Sequence, residues 1–190
     1  AGPSPRHWLG QDNQGRDLLS RIIFGARMSL YISLSAIGIG AVFGVLLGML
    51  AAYYRWLDMP IMRLMDVVLA FPGIIVALTT IAILGRSVNN VVIAIGIYHI
   101  PQFARLVHGL TLSIKETVYV EGAVASGESD FSVLTHYILP NCLASIIVQT
   151  SLLIPGAIMT AATLSFLGLG VPPPTAEWGS MLQNSLQWAQ

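Results

Sequence analysis

The sequence predicts an all-α integral membrane protein, and three observations carry that prediction. Hydrophobic residues make up 55% of the 190-residue chain and charged residues only 9%, against roughly 25% charged in ordinary soluble domains. Mean hydropathy is +0.73, more apolar surface than a water-soluble chain of this size can bury, so the bilayer must act as solvent. Uncharged runs long enough to cross a membrane recur, with none of the ten-residue alternating segments of a membrane β-barrel. Net charge is zero, which implies no attraction to nucleic acid or acidic lipid. The single cysteine, Cys142, excludes an internal disulfide and a cysteine-cluster metal site; it reads as a small buried apolar residue.

Four spans are expected. Residues 28–54 hold 27 uncharged positions, where about 20 suffice for a helix. Residues 67–85 form a second run, interrupted by Pro72-Gly73, and residues 87–104 a third, containing His99 and Pro101. Residues 131–176 carry no charge, and the best span within them is 142–166. The opening Ala1-Gly2-Pro3-Ser4-Pro5 and the polar, aromatic stretch ending at Gln190 lead us to expect a piece of a longer chain, with a further span on each side. Orientation is not set by positive charge. Arg6, Arg16, Arg21, Arg27 and Arg86 would fall on one side, and Arg55, Arg63, Arg105 and Lys115 on the other. Chain neighbours suggest the pairs Arg16 with Asp17, Arg55 with Asp58 and Arg63 with Asp66.

The first span carries Ala36, Gly40, Gly44, Gly48 and Ala52, a small residue at every fourth position and hence on one helix face. Gly40, Gly44 and Gly48 are therefore helix-packing candidates, since small residues let a second backbone approach closely. Some of the partners of this stripe are expected outside the chain. Pro72, Pro101, Pro140 and Pro155 sit in or beside spans, where each removes a backbone donor and favours a kink.

Candidates for chemistry are few. The only lysine, Lys115, follows Ser113-Ile114 with no glycine run, so the phosphate-binding loop of an ATPase is missing and any ATP must be used by a partner. His7, His99, His108 and His136 lack the close spacing of a metal-binding helix face. His99 lies in a span and is read as packing, with a pathway role as the alternative. Met59, Met62 and Met65 are read as packing rather than as a soft-metal site. No carboxylate lies mid-span, which argues against ion coupling and against an intramembrane hydrolase.

The polar island between the third and fourth spans is the exception. Residues 105–140 hold Lys115, Glu116, Glu121, Glu128 and Asp130. Gly127 can take a positive φ that stops one helix and turns the chain, and Ser129 or Asp130 can cap the next. Phe131, Leu134 and Ile138 then repeat at helical spacing. The pattern predicts two short helices at an angle, lying on the membrane surface where a soluble partner can reach them. An ordinary amphipathic interfacial loop fits the periodicity equally well.

These residues resemble a known signature, Glu-Ala-Ala-x3-Gly-x9-Ile-x-Leu-Pro, of bacterial ABC importer permeases. Here it reads Glu121-Gly122-Ala123, then Gly127, then Tyr137-Ile138-Leu139-Pro140. Gly122 replaces Ala and Tyr137 replaces Ile; Gly122 weakens the first short helix by about 1 kcal/mol. Further stretches resemble the permeases for dipeptides, oligopeptides and nickel, in particular the second, C-type subunit. They are Trp8-Leu9-Gly10-Gln11-Asp12-Asn13-Gln14-Gly15-Arg16-Asp17-Leu18-Leu19-Ser20-Arg21, Gly25-Ala26-Arg27-Met28-Ser29-Leu30, Asp66-Val67-Val68-Leu69-Ala70-Phe71-Pro72, Leu164-Ser165-Phe166-Leu167-Gly168-Leu169-Gly170-Val171 and Glu177-Trp178-Gly179-Ser180-Met181-Leu182.

The resemblance implies a type I ABC importer transmembrane domain, here a fragment with about four of six spans, in a bacterial or archaeal cytoplasmic membrane. It implies extracytoplasmic segments at 1–27 and 172–190, and a permease core at 28–171 whose loop 105–140 is cytoplasmic. Glu121, Gly122, Ala123, Gly127, Glu128, Asp130, Leu139 and Pro140 would couple to the ATPase. Partners would be a second permease subunit, two ATPase subunits that bind ATP and Mg, and an extracytoplasmic substrate-binding protein; the chain itself would hold no cofactor and catalyse nothing. Di- and oligopeptides are the expected cargo. The alternatives are nickel or a metal chelate, or a channel or assembly subunit that uses no ATP.

Overall fold

A computed structural model describes residues 2–12, 14–172 and 174–187. Parts of the expected segments 1–27 and 172–190, namely residues 1, 13, 173 and 188–190, lie outside the described residues. Among the described residues eight helices follow one another: α1 (Leu18–Tyr53), α2 (Arg55–Leu69), α3 (Gly73–Leu84), α4 (Val88–Lys115), α5 (Val118–Ala125), α6 (Asp130–Ser132), α7 (Leu139–Phe166) and α8 (Trp178–Gln187), with a π-helical turn at Val133–Ile138 between α6 and α7. Among the described residues no strand forms beyond two isolated bridges near the N-terminus.

Three helices are long and apolar enough to span a membrane: α1, α4 and the continuous stretch Asp130–Phe166. The expected second span is not one straight helix. α2 and α3 meet at 94°. Pro72 lies at the break as the N-cap of α3, lacks a backbone donor, and pushes Phe71 out of the helical region. The 12 residues of α3 reach only about 18 Å, short of the roughly 30 Å hydrocarbon layer. α2 and α3 therefore act together or not at all as a fourth crossing.

The glycine stripe organises the core, and its partner is within the chain, contrary to the expectation that part of it would lie elsewhere. Ala36, Gly40, Gly44, Gly48 and Ala52 are all buried. A Cβ on Gly40 would stand 2.8 Å from His99 Cβ, one on Gly44 2.5 Å from the Ile100 carbonyl and Phe103 Cβ, and one on Gly48 2.4 Å from the Ala104 carbonyl. The facing positions advance together along both helices, so α1 and α4 run parallel with their backbones nearly touching. Ile32, Ile37, Ile95 and Phe103 fill the core beside this seam, with Ala77 and Ile81 from α3 and Ala157, Ala161 and Leu164 from α7.

The charge pairs differ from the chain-neighbour expectation. Asp58 of α2 accepts from His108 Nε2 at 2.9 Å, and Asp66 pairs with Arg105, so α2 is fastened to α4 rather than to its own arginines. Arg16 pairs with Asp12 at 2.7 Å, and Asp17 takes His7. A surface helix turns its carboxylates toward whatever cation the fold brings near, and sequence spacing does not report that.

At the end of the bundle where α1 begins, the chain closes on itself. Asp17 caps α1 through Ser20 N at 2.8 Å. The fully buried Glu177 caps α8, accepting from the Gly179 and Ser180 backbone N–H groups, both at 3.0 Å. Trp178 Nε1 donates to the Ile22 carbonyl at 3.1 Å. Gly168, at φ +76°, ends α7 in a turn that leads to this cap.

Candidate coupling loop

Residues 116–138 gather at the other end of the bundle, beside the last turn of α1. α5 is a short helix with two buried positions, Val120 and Ala123. Val120 joins a second core cluster with Met49, Val107, Val133, Leu134, Ile138 and Cys142. Glu121 and Gly122 face outward. The helix stops in a Schellman turn: Gly127 N donates to the Val124 carbonyl at 3.0 Å and Glu128 N to the Ala123 carbonyl at 3.2 Å, with Gly127 at φ +86°. Ser129, of the two capping candidates, supplies the next cap by accepting from Ser132 N. Asp130 then places a carboxylate in the first turn of the following helix, where the helix dipole favours it.

The expected second short helix does not stand alone. α6, the π-turn and α7 form one continuous stretch, 130–166. The π-turn ends immediately before Leu139 and Pro140, which open α7. Pro140 offers no N–H to the preceding turn, and a widened turn at that point absorbs the missing bond. Leu134 and Ile138 point inward as expected, but Phe131 is 75% exposed. Phe131 sits in the first turn of this stretch, ahead of the π-turn.

The loop is tied to α1 at both ends. Lys115 Nζ donates to the Ala52 carbonyl at 2.8 Å, filling one of the unpaired acceptors in the last turn of α1. Asp130 takes two hydrogen bonds, one per carboxylate oxygen: Tyr53 donates to Oδ1 and Tyr54 to Oδ2, both at 2.9 Å. The bond to Asp130, together with partial burial, pushes the Tyr54 phenol above its ordinary value. The two rings stand edge to face. Neither tyrosine was singled out from the sequence; the only available signal was two adjacent phenols at the end of an apolar run.

Of the site residues expected from sequence, Glu121, Gly122, Gly127, Glu128 and Asp130 are exposed, Ala123 is buried, Leu139 is half-buried and Pro140 is exposed. They share one end of the bundle, whereas Gly40, Gly44 and Gly48 lie in the α1–α4 seam. Val118 (84% exposed) and Val124, three residues either side of Glu121 on α5, point outward, and Phe131 is exposed beyond the turn. Sequence reasoning missed these exposed side chains, although Val118-Tyr119-Val120 held the clue: three consecutive apolar residues on a short helix cannot all face one side. His99 is buried with Nδ1 on Gln102, as packing requires, though its Nε2 has no partner among the described residues. Met65 is buried in the core, whereas Met59 and Met62 line a polar surface pocket with Arg55, Asp58, Arg63 and Asp66.

Comparison with known proteins agrees with this architecture. The family model described as "Binding-protein-dependent transport system inner membrane component" matches residues 44–189. A glutathione transport system permease protein of Pectobacterium atrosepticum is 49% identical over 97% of this chain and 62% of its own length. A dipeptide transport system permease protein of Alkalihalophilus pseudofirmus is 47% identical over 100% of this chain, again 62% of its own length. The chain thus spans about three fifths of these curated relatives. A crystal structure of an amino acid ABC transporter superposes with a TM-score of 0.65 at 14% identity, over 90% of this chain and 80% of that one, which speaks for the fold. With its apolar helices and a family match over most of its length, this chain belongs to the inner membrane components of binding-protein-dependent transport systems.

Proposed function

We propose that this chain is a permease subunit of an ABC importer that, with a second, different permease subunit, forms the pathway for di- and oligopeptides. The observation that carries the reading is the loop at residues 116–138: an outward-facing knob on which Val118 and Val124, three residues either side of Glu121, and Phe131 beyond the turn are exposed. Exposed apolar side chains beside a charge suit a protein partner, and the sequence holds no phosphate-binding loop. Two ATPase subunits, which bind ATP and Mg, would take this knob on the cytoplasmic side. Glu121 would be the charged contact and Gly127 the hinge. Residues 1–27 and 172–190 would then face an extracytoplasmic substrate-binding protein.

ATP binding closes the ATPase pair and carries the knob with it, and the permease bundles rock from inward-open to outward-open. The energy enters as differential affinity for two states rather than as chemistry in this chain. The absence of carboxylates from the middle of the spans suits a pathway that passes varied peptides without holding them, and the relatives named for dipeptide and glutathione transport favour that cargo.

The test is ATPase activity of the full-length subunit, co-purified in lipid with its candidate partners, with and without binding protein loaded with dipeptide. Stimulation by the loaded protein, lost in Gly127→Val, supports the reading. Co-purification without peptide stimulation would keep the importer and move the cargo to nickel or another solute. Failure to bind any ATPase would overturn the importer.

A further inference from the structure

We infer that Asp130, Tyr53 and Tyr54 form a clasp through which the docking loop moves α1, making Asp130 a positioning residue of the drive train rather than a contact to the ATPase. This inference rests on the permease reading above and assigns the route by which the loop's motion leaves it.

Three observations converge. First, the loop begins and ends on the same point: Lys115, just before α5, holds the Ala52 carbonyl, and Asp130, just after Gly127, holds Tyr53 and Tyr54. A rigid displacement of α5 therefore pulls on the last turn of α1 from both sides. Second, both oxygens of the Asp130 carboxylate are engaged by α1. Each oxygen accepts one phenol, and such charge-assisted bonds aim it at α1. Glu121 and Glu128 carry no such internal bond among the described residues, and they remain available to a partner. Third, α1 is the element best suited to carry the motion. It is a single helix of 36 residues, about 54 Å long, and it is in close backbone contact with α4 along the glycine seam. Its far end is bonded to α8 through Trp178 and Ile22. One rod thus joins the docking loop to the segment at the opposite face. A coupling route needs such a contiguous chain of packed, rigid contacts.

The geometry makes a selective demand. Asp accepts both phenols as charge-assisted bonds, whereas Asn must turn its NH2 to one phenol oxygen and can keep the pair only as weaker, neutral bonds. Phe at either tyrosine removes the donor while keeping the ring and its packing.

The test uses the full transporter reconstituted in lipid with binding protein, and reads peptide uptake per ATP hydrolysed alongside ATPase co-purification. Asp130→Asn and the double variant Tyr53→Phe/Tyr54→Phe are each expected to bind the ATPase normally and to lower uptake per ATP by at least about fivefold, the small end of allosteric couplings. The triple variant is expected to be no worse than either. A merely structural role would lower uptake and ATP hydrolysis in proportion and leave their ratio unchanged, which would overturn the clasp. So would loss of ATPase binding in Asp130→Asn with a normal Tyr53→Phe/Tyr54→Phe, since Asp130 would then be the docking contact. If the unmodified subunit binds no ATPase, the permease reading itself fails and the clasp falls with it.

Discussion

Replacing Gly44 by Ile tests the parallel α1–α4 seam directly, because Gly38 on the same helix serves as its control. A Cβ at Gly44 would lie 2.5 Å from both the Ile100 carbonyl and Phe103 Cβ, while a Cβ at Gly38 meets nothing within 4 Å. Ordinary contact begins near 3.4 Å, so the first added carbon alone forces the two backbones apart by about 0.9 Å. A gap of that size forfeits roughly a quarter to a half of each van der Waals well along the seam. Overpacking costs about 1–3 kcal/mol, and the three further carbons of Ile place the expected loss at the upper end, about 3 kcal/mol. For a chain of this size that is a fall in melting midpoint of roughly 6–12 °C. Gly38→Ile is expected to stay within about 0.5 kcal/mol of the parent. The assay is thermal unfolding of the full-length subunit in its complex in lipid nanodiscs. Equal midpoints for Gly44→Ile and Gly38→Ile would refute the seam.

Gly127→Ala is expected to cost about 1–2 kcal/mol, because an L-residue is strained at φ +86°, and Gly127→Val more; protease cleavage within 125–130 reads it. Phe131→Ala removes an exposed anchor and is expected to weaken ATPase binding about 30-fold without changing the subunit's melting point; unchanged affinity would place the docking face elsewhere. Val120→Ala is expected to speed hydrogen exchange across α5 by more than Gly122→Ala slows it. The first segment should be insensitive to mild acid. Burial raises Asp12, but the hydrogen bonds from Arg16 and Gln14 outweigh it and hold the carboxyl below its ordinary 3.8. Ser20 and then His7 hold Asp17 low as well. Carboxylates depressed in the folded state stabilise above the unfolded value and lose that stability as pH falls through the folded one. Exchange protection at residues 10–12 and 14–21, after correction for the intrinsic pH dependence of amide exchange, should therefore be unchanged from pH 7 to about 5 and fall only below about 4.

The parts legible in sequence were those governed by local rules. Uncharged length placed three of the spans, a four-residue period placed Gly40, Gly44 and Gly48 on the buried face, and the positive-φ turn at Gly127 followed from glycine alone. Three features escaped because they are set across the fold. The 94° break at Pro72 was visible as a proline but not as an angle, since neighbouring packing decides how far a kink opens. The pairs Asp58–His108 and Asp66–Arg105 join residues about forty or fifty positions apart, beyond any spacing rule. Tyr53 and Tyr54 acquired a role only when the fold brought Asp130 to them.

The departure at Gly122 shows why the local rules were incomplete at the loop itself. An eight-residue helix is marginal on its own, and Gly122 subtracts about 1 kcal/mol relative to Ala. Propensity alone would leave α5 frayed and the knob too soft to transmit a push. Burial of Val120, 1% exposed, returns roughly 1.5–3 kcal/mol, and Ala123 adds a second point of contact. The open space around Gly122 means that no packing demand excludes Ala there. α5 is therefore ordered by what it touches, not by what it is made of. Its stiffness belongs to the bundle, and any motion imposed on it must pass into the cluster beneath it and into the last turn of α1.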